Sequence, residues 1–535
     1  MNVKRFFVLA AGVALLLLSG ALAGCGGGEP QAIPVTRVIL ETQLIEGESV
    51  EAIRVVTEEE MLSAGQPVEV ARPIAPDAPP EAQPADMFFE SYGVNPFIDT
   101  EDDSLSTFAI DVDTGSYTLM RRYLADGLLP PAEAVRVEEF VNYFDQQYAP
   151  PEGAAFAIHL EGAPSPYGET DRYQLLRVGV QGYEVPAEQR PDALLIFVID
   201  VSGSMAQGNR LGLVKQSLSM LVDALRPADR VGIVVYGSEA RVVLGPTAVA
   251  ERPTILNAID RLQTEGSTNA EAGLRMAYEL AESFGEPGQI TRLILCSDGV
   301  ANVGQTTAEA ILQHAAEGIS LSTFGFGMGN YSDVLMEQLA DQGDGSYAYV
   351  DTPGEAERLF VQNLTGVLLT IAKDAKIQVA FNPAVVERYR LLGYENRDVA
   401  DADFRNDAVD AGEIGAGHSV TALYELKLAE NALPAETALT VSVRYADPES
   451  GVVTEIARGI TPGEFVTDFT AASLTFQLSA IVAEYAELLR DSYWARDNSL
   501  AALQTDARRI AEYFTGSADV QDFARLVAQA AGMAP

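Results

Sequence analysis

Hydrophobic and polar positions change their period several times along the chain. Phe156, Ile158 and Leu160 alternate with Ala157, His159 and Glu161, and Leu176, Val178 and Val180 alternate with Arg177 and Gly179. A period of two marks half-buried strands. Upstream, residues 106–112 read as a strand, and helical stretches near 116–126 and 132–143 are separated by Pro130-Pro131, which starts the second. From Leu194 strands alternate with helices. Residues 194–201 form a continuous apolar run, expected of a parallel strand covered on both faces. A helix at 211–225, a strand at 231–236 with a hairpin partner at 241–244, helices at 254–262 and 270–284 and a strand at 290–297 follow. Helix 307–316, strand 319–325, helix 332–340, strand 346–350 and helix 354–370 complete the block. Such alternation predicts an α/β fold with a doubly wound, mostly parallel sheet. After Lys373 the period of two returns, at Ile377, Val379 and Phe381 and again at Leu439, Val441, Val443 and Tyr445. The last segment is helical, with one apolar stripe through Leu474, Leu478, Ile481, Val482, Tyr485, Leu488 and Leu489, and another through Leu500, Leu503, Ile510 and Phe514. Gly516 ends that helix and Ser517 can cap a third. Because β segments flank the α/β block, strands within 154–185 are expected to pair with strands within 375–465 in one antiparallel β-sandwich, which the α/β domain enters and leaves.

Composition separates the start of the chain from the rest. Residues 1–25 carry a basic start (Lys4, Arg5), an apolar run at 6–18 and small residues before Cys25. The run is shorter than the roughly 20 apolar residues of a membrane span and matches a secretory signal. Leu22-Ala23-Gly24-Cys25 resembles the lipobox of bacterial lipoproteins, which implies lipidation of Cys25 and attachment to a membrane surface outside the cytoplasm. The competing account is an ordinary cleaved signal with an unrelated cysteine. Residues 26–87 hold eight of the 27 prolines and no aromatic residue, so they are expected to form a disordered Pro-rich tether, with brief strands possible at 35–45 and 50–56. The expected organisation is thus 1–25 signal, 26–87 tether, 88–190 N-terminal α+β segment, 191–372 α/β domain, 373–466 β-rich domain and 467–535 C-terminal helices.

Charge excludes one class of partner. The chain has 77 acidic and 35 basic side chains, a formal charge of -42, and its five lysines are scattered. Phosphate contact needs clustered Lys and Arg, so no nucleic-acid partner is expected. Two cysteines cannot build a disulfide framework.

The candidate chemistry stands at the carboxyl end of the first strand of the α/β block, in Asp200-Val201-Ser202-Gly203-Ser204. A carboxylate and two hydroxyls at i, i+2 and i+4 can aim hard oxygens at one point, which suits Mg²⁺, Mn²⁺ or Ca²⁺. Here the sequence resembles the von Willebrand factor type A (VWA) family, whose metal-ion-dependent adhesion site (MIDAS) begins Asp-x-Ser-x-Ser. Gly266-Ser267-Thr268-Asn269 and Cys296-Ser297-Asp298-Gly299 match its later motifs, in order and at the expected places. The resemblance implies a metal set of Asp200, Ser202, Ser204, Thr268 and Asp298, with one coordination position left for a ligand carboxylate. Asn95-Pro96-Phe97, Asp111-Val112-Asp113-Thr114, Leu392-Gly393-Tyr394-Glu395-Asn396-Arg397 and residues 410–418 further resemble segments flanking the type A domain in a family of bacterial lipoproteins. That family implies an envelope protein and supplies no ligand; joined to the type A motifs and the acidic charge, it leads to the expectation of a non-enzymatic protein that binds an acidic protein ligand through Mg²⁺ or another divalent cation. An assembly scaffold whose metal only stabilises the loops is the alternative.

Other signals lead elsewhere. Asp113-Thr114-Gly115 mimics an aspartic-protease half-site, but that chemistry needs two carboxylates and no second half-site occurs. A turn or capping role for Asp111, Asp113 and Thr114 is expected, with a Ca²⁺ site among residues 99–113 as the lesser option. His159, His314 and His418 lie in different predicted elements, Cys296 reads as a core residue, and Trp494 as either a partner surface or a helix-packing residue.

Overall fold

The computed structural model describes residues 37–45, 48–56, 89, 91–110, 112–168, 170–299, 307–316, 318–327, 333–407, 409 and 411–534. The signal and the lipobox, Cys25 included, lie outside these residues. Residues 1–79 and 80–535 are separate units. In the first, β1 (Arg37–Ile45) and β2 (Glu48–Val56) pair antiparallel, Arg37 opposite Val56. The span expected to be a tether therefore contains a hairpin. Its prolines all lie outside the two strands, whose β-branched residues suit an extended ladder.

The second unit begins with β3 (Ile98–Asp99), β4 (Leu105–Ala109), α1 (Gly115–Ala125), α2 (Val137–Asn142), β5 (Phe156–Pro164) and β6 (Tyr173–Gly182). Next come β7 (Ala193–Asp200), α3 (Arg210–Ala224), β8 (Arg230–Tyr236), β9 (Ala240–Ala248), α4 (Arg252–Asp260), α5 (Ala270–Phe284) and β10 (Ile290–Ser297). α6 (Ala308–Ile311), β11 (Ser320–Phe326), α7 (Asp333–Asp341), β12 (Tyr347–Val350), α8 (Pro353–Glu357) and α9 (Leu364–Leu368) close the α/β block. Its sheet runs β12-β11-β10-β7-β8-β9, parallel throughout except for β9, the expected hairpin partner of β8. Every residue of β7 is buried, as its unbroken apolar run requires. One face packs on α3, α4, α8 and α9 through Val214, Leu218, Ile255, Ile259 and Leu364. The other packs on α5 and α7 through Leu274, Ala277, Met336 and Leu339.

The chain continues with β13 (Thr370–Phe381), β14 (Val386–Leu392), β15 (Gly412–Gly415), β16 (Ser419–Leu428), β17 (Leu439–Ala446) and β18 (Val453–Ile460). One sheet runs β15-β13-β17-β18 with β4 also on β13, and the other runs β3-β14-β16-β6-β5. The decisive pairing is β6 with β16, from Tyr173 opposite Lys427 to Gln181 opposite Ser419. Strands from both sides of the α/β domain thus share one sandwich, with Phe108, Leu176, Val178, Ile377, Val441 and Tyr424 in its core. The α/β domain is inserted between β6 and β13.

Three helices, α10 (Leu474–Leu489), α11 (Leu500–Ala511) and α12 (Ala518–Met533), end the chain. Ser473, Ser499 and Ser517 each accept a capping hydrogen bond from the first turn. Their core includes Tyr117, Phe140 and Phe144. The residues at 88–190 are shared among three cores. Their strands enter the sandwich, α2 enters the helical core, and α1 also sets Leu119 and Tyr123 against the α/β sheet.

Three predicted helices are shorter than their patterns. Val135 and Arg136 are extended, so the second N-terminal helix starts only at Val137. The helix at 307–316 is four residues and a 3₁₀ turn ending at His314. The helix at 354–370 breaks into α8, a π turn over Arg358–Gln362 and α9, and Thr370 already belongs to β13.

Candidate metal centre

The site grows from the carboxyl edge of the α/β sheet, where neighbouring strands end side by side. β7 and β10 are in register, Ile199 opposite Cys296, which brings Asp200 beside Ser297 and leaves Asp298 one residue further on. The Ser202 amide donates to Asp200 Oδ1 (2.7 Å) and the Ser297 hydroxyl to Asp200 Oδ2 (3.0 Å). These bonds fix the carboxylate while the chain turns, and the Ser202 and Ser204 hydroxyls meet at 2.9 Å.

Thr268 arrives from the loop before α5. The Glu265 amide donates to Val201 O and the Gly203 amide to Gly266 O, so the two loops are stitched together by backbone alone. Gly266 has φ +74, and a Cβ there would collide with Ser238, so glycine permits the tight approach. Asn269 caps α5, its side chain accepting from the Ala272 amide (3.1 Å). Thr268 is buried, as are Asp200, Ser202 and Asp298, while Ser204 is half-buried.

Burial, and then the neighbouring Asp298 carboxylate, push the Asp200 carboxyl up to about 7, although hydrogen bonds from Ser202 and Ser297 pull it down. Two buried carboxylates, only one of them paired with a cationic side chain, and the neighbouring hydroxyls of Ser202 and Ser204 fit a hard divalent cation. Among the described residues no group of three or more His, Cys, Asp or Glu could hold a metal, so a cation here depends on the hydroxyls. Two further residues belong to the cluster. Ser297 stood inside a quoted motif, but its bond to Asp200 depends on strand register. Arg210, whose Nη1 lies 2.6 Å from Asp298 Oδ2, gave no sequence signal at all.

The structure assigns ordinary work to the signals set aside. Asp113 Oδ1 accepts from the Tyr347 amide (3.1 Å), and Thr114 Oγ1 from Arg358 (3.0 Å). Asp99 pairs with Arg388 and Asp103 accepts from the Leu105 amide, while Asp111 lies outside the described residues. Cys296 is a fully buried core residue of β10. Trp494 stands edge-on to Phe97 and donates to Asn95 O (3.2 Å), clasping the N-terminal segment to the helices. A cavity of about 690 Å³ that none of these metal-site residues lines lies between the sandwich and the helices, bounded by His159, Arg177, Arg458, Thr475 and Tyr513.

The inserted sheet with an Asp-x-Ser-x-Ser turn at its carboxyl edge, joined by Thr268 and Asp298, defines a VWA domain. Residues 195–300 match the von Willebrand factor type A domain family, and residues 83–177 match a family described as von Willebrand factor. Residues 366–533 match the family described as uncharacterized protein YfbK, C-terminal. The chain is 37% identical to the uncharacterized protein YfbK of Escherichia coli (strain K12) over 449 residues, covering 78% of this chain and 76% of that one. It therefore belongs to the YfbK family. It is also 28% identical to the uncharacterized protein sll0103 of Synechocystis sp. (strain ATCC 27184 / PCC 6803 / Kazusa), over 52% of this chain and 67% of that one. A solved von Willebrand factor type A protein from Catenulispora acidiphila aligns over 68% of this chain and 88% of its own with a TM-score of 0.40 at 14% identity.

Proposed function

We propose that this protein is a lipid-anchored, extracytoplasmic binding protein that captures an acidic protein ligand through a divalent cation, Mg²⁺ foremost, held by Asp200, Ser202, Ser204, Thr268 and Asp298. One observation carries the reading: these residues come from three loops at one sheet edge, and two of the loops are bonded backbone to backbone. These residues would hold the cation, and its charge would let an outside carboxylate bind beside them. Asp200 and Asp298 would supply its balancing charge, and the Ser202, Ser204 and Thr268 hydroxyls would add neutral oxygen donors. The anchor at Cys25 rests on the lipobox alone. The acidic ligand follows from the electrostatics of the site, since a chain of charge -42 repels a carboxylate unless a cation stands between them.

Because the loops are already joined by the Glu265–Val201 and Gly203–Gly266 hydrogen bonds, they do not need a metal as their only tie, which favours ligand binding over a purely structural metal. Asp200→Ala is expected to abolish Mg²⁺-dependent retention of crosslinked envelope partners in a pull-down while leaving the circular dichroism spectrum unchanged. Wild-type retention that survives excess EDTA would refute the reading. Mg²⁺ that raises the melting temperature without retaining any partner would favour the scaffold instead.

A further inference from the structure

A cation site built from carboxylates has no need of a resident positive charge, yet this one contains Arg210. The residue opens α3, and its side chain is only 9% exposed. Nη1 donates to Asp298 Oδ2 at 2.6 Å and reaches the Ser204 carbonyl at 3.4 Å. Gly327, just past β11, has φ +92, and a Cβ there would run into the Cγ, Cδ and Nε of Arg210. The backbone at Gly327 therefore makes room for this side chain. An arginine that is buried, paired and given space by a neighbouring glycine is a fixed part of the site.

We infer that Arg210 is a tethered counter-cation that weakens metal binding at this site and gives the loaded site a net positive charge. The inference rests on the metal reading above. Two carboxylates and a divalent ion cancel, and the guanidinium leaves one positive charge in excess. With Arg210 on one oxygen of Asp298, an incoming metal meets both a like charge and a carboxylate already engaged. A ligand carboxylate removes the excess charge. Metal and acidic ligand then strengthen each other by the same factor, as linkage requires. Arg210 thus makes metal occupancy conditional on the acidic partner. It is a positioning residue that acts through Asp298.

Mn²⁺ binding to the full chain, followed by electron paramagnetic resonance and calorimetry, tests this in wild type, Arg210→Met and Arg210→Lys. Arg210→Met is expected to bind Mn²⁺ at least about tenfold more tightly. It should also melt at lower temperature in EDTA and recover more on adding Mn²⁺ than wild type does. Arg210→Lys, which keeps the charge, should stay close to wild type. Excess acetate should strengthen Mn²⁺ binding more in wild type than in Arg210→Met. Unchanged or weaker Mn²⁺ binding by Arg210→Met overturns the inference, as does full tightening in Arg210→Lys or an equal gain from acetate. If wild type binds and the variants do not differ, only this inference falls; if none of the three binds, the metal reading falls with it. Should Arg210→Met not fold, Arg210→Gln, which retains a donor for Asp298, carries the same expectation.

Discussion

Asp229 is the residue on which the amino ends of β7 and β8 depend. Arg190 Nη1 donates to its Oδ1 (3.0 Å), the Ala193 amide to the same oxygen (2.9 Å) and the Arg226 amide to Oδ2 (2.7 Å). Burial alone would raise its pKa, but Arg190 and the two amides together hold it below the usual carboxylate range. Its stabilising contribution is therefore complete above the ordinary carboxylate pKa near 4 and fades as pH falls below that. Asp229→Asn is expected to cost about 3–5 kcal/mol in urea unfolding at pH 7, because it leaves Arg190 buried without its partner, and less at pH 3. Equal losses at both pH values would contradict this. Asp200, Ser202 and Ser204 were legible in the sequence because a five-residue turn fixes their spacing. Arg210 was not, because its partner Asp298 lies 88 residues away and only the finished sheet brings the two together.

At the scale of elements, periodicity told truly where burial is one-sided and misled where polar contacts intervene. The π turn after α8 lets the Arg358 guanidinium lie 4.4 Å from the centre of the Tyr143 ring and bond Glu355, and Gly415 lets β15 pass close to the Gly366 carbonyl of α9. No pattern of apolar residues encodes either event. α10 shows the opposite limit, a helix so enclosed that even its glutamates are buried. Glu487 is held by Arg390 and Arg490, whereas Glu484 accepts from Asn498 (2.9 Å), and burial pushes its carboxyl up to about 7. In the unfolded chain this carboxyl ionises near its ordinary pKa, so ionised Glu484 opposes folding above pH 7, and the penalty disappears as pH falls toward 4.5. Glu484→Gln is accordingly expected to stabilise the protein at pH 8 by on the order of 2 kcal/mol and to match wild type near pH 4.5, as read from thermal melts. A lower melting temperature at pH 8 would show that the carboxylate is compensated.

For the whole molecule, the insertion was foreseeable because strand-like alternation stops at one side of the α/β block and resumes at the other. The sharing of the helical core by α1, α2 and α10 to α12 was not, since an amphipathic stripe shows that a face is buried but not against what. Removal of β5 and β6 would strip β16 of its neighbour and expose a ten-residue edge. Residues 370–535 made alone are therefore expected to aggregate, and to become soluble when co-expressed with residues 88–190. A soluble 370–535 fragment that melts cooperatively would count against this. The same connectivity has a mechanical meaning. A pull on a ligand at the sheet edge leaves the inserted domain through two covalent connections, one to β6 and one to β13, and these strands belong to different sheets of the sandwich. The load is divided between two ladders, each flanked by neighbours on both sides, so neither strand can be peeled away as a free end.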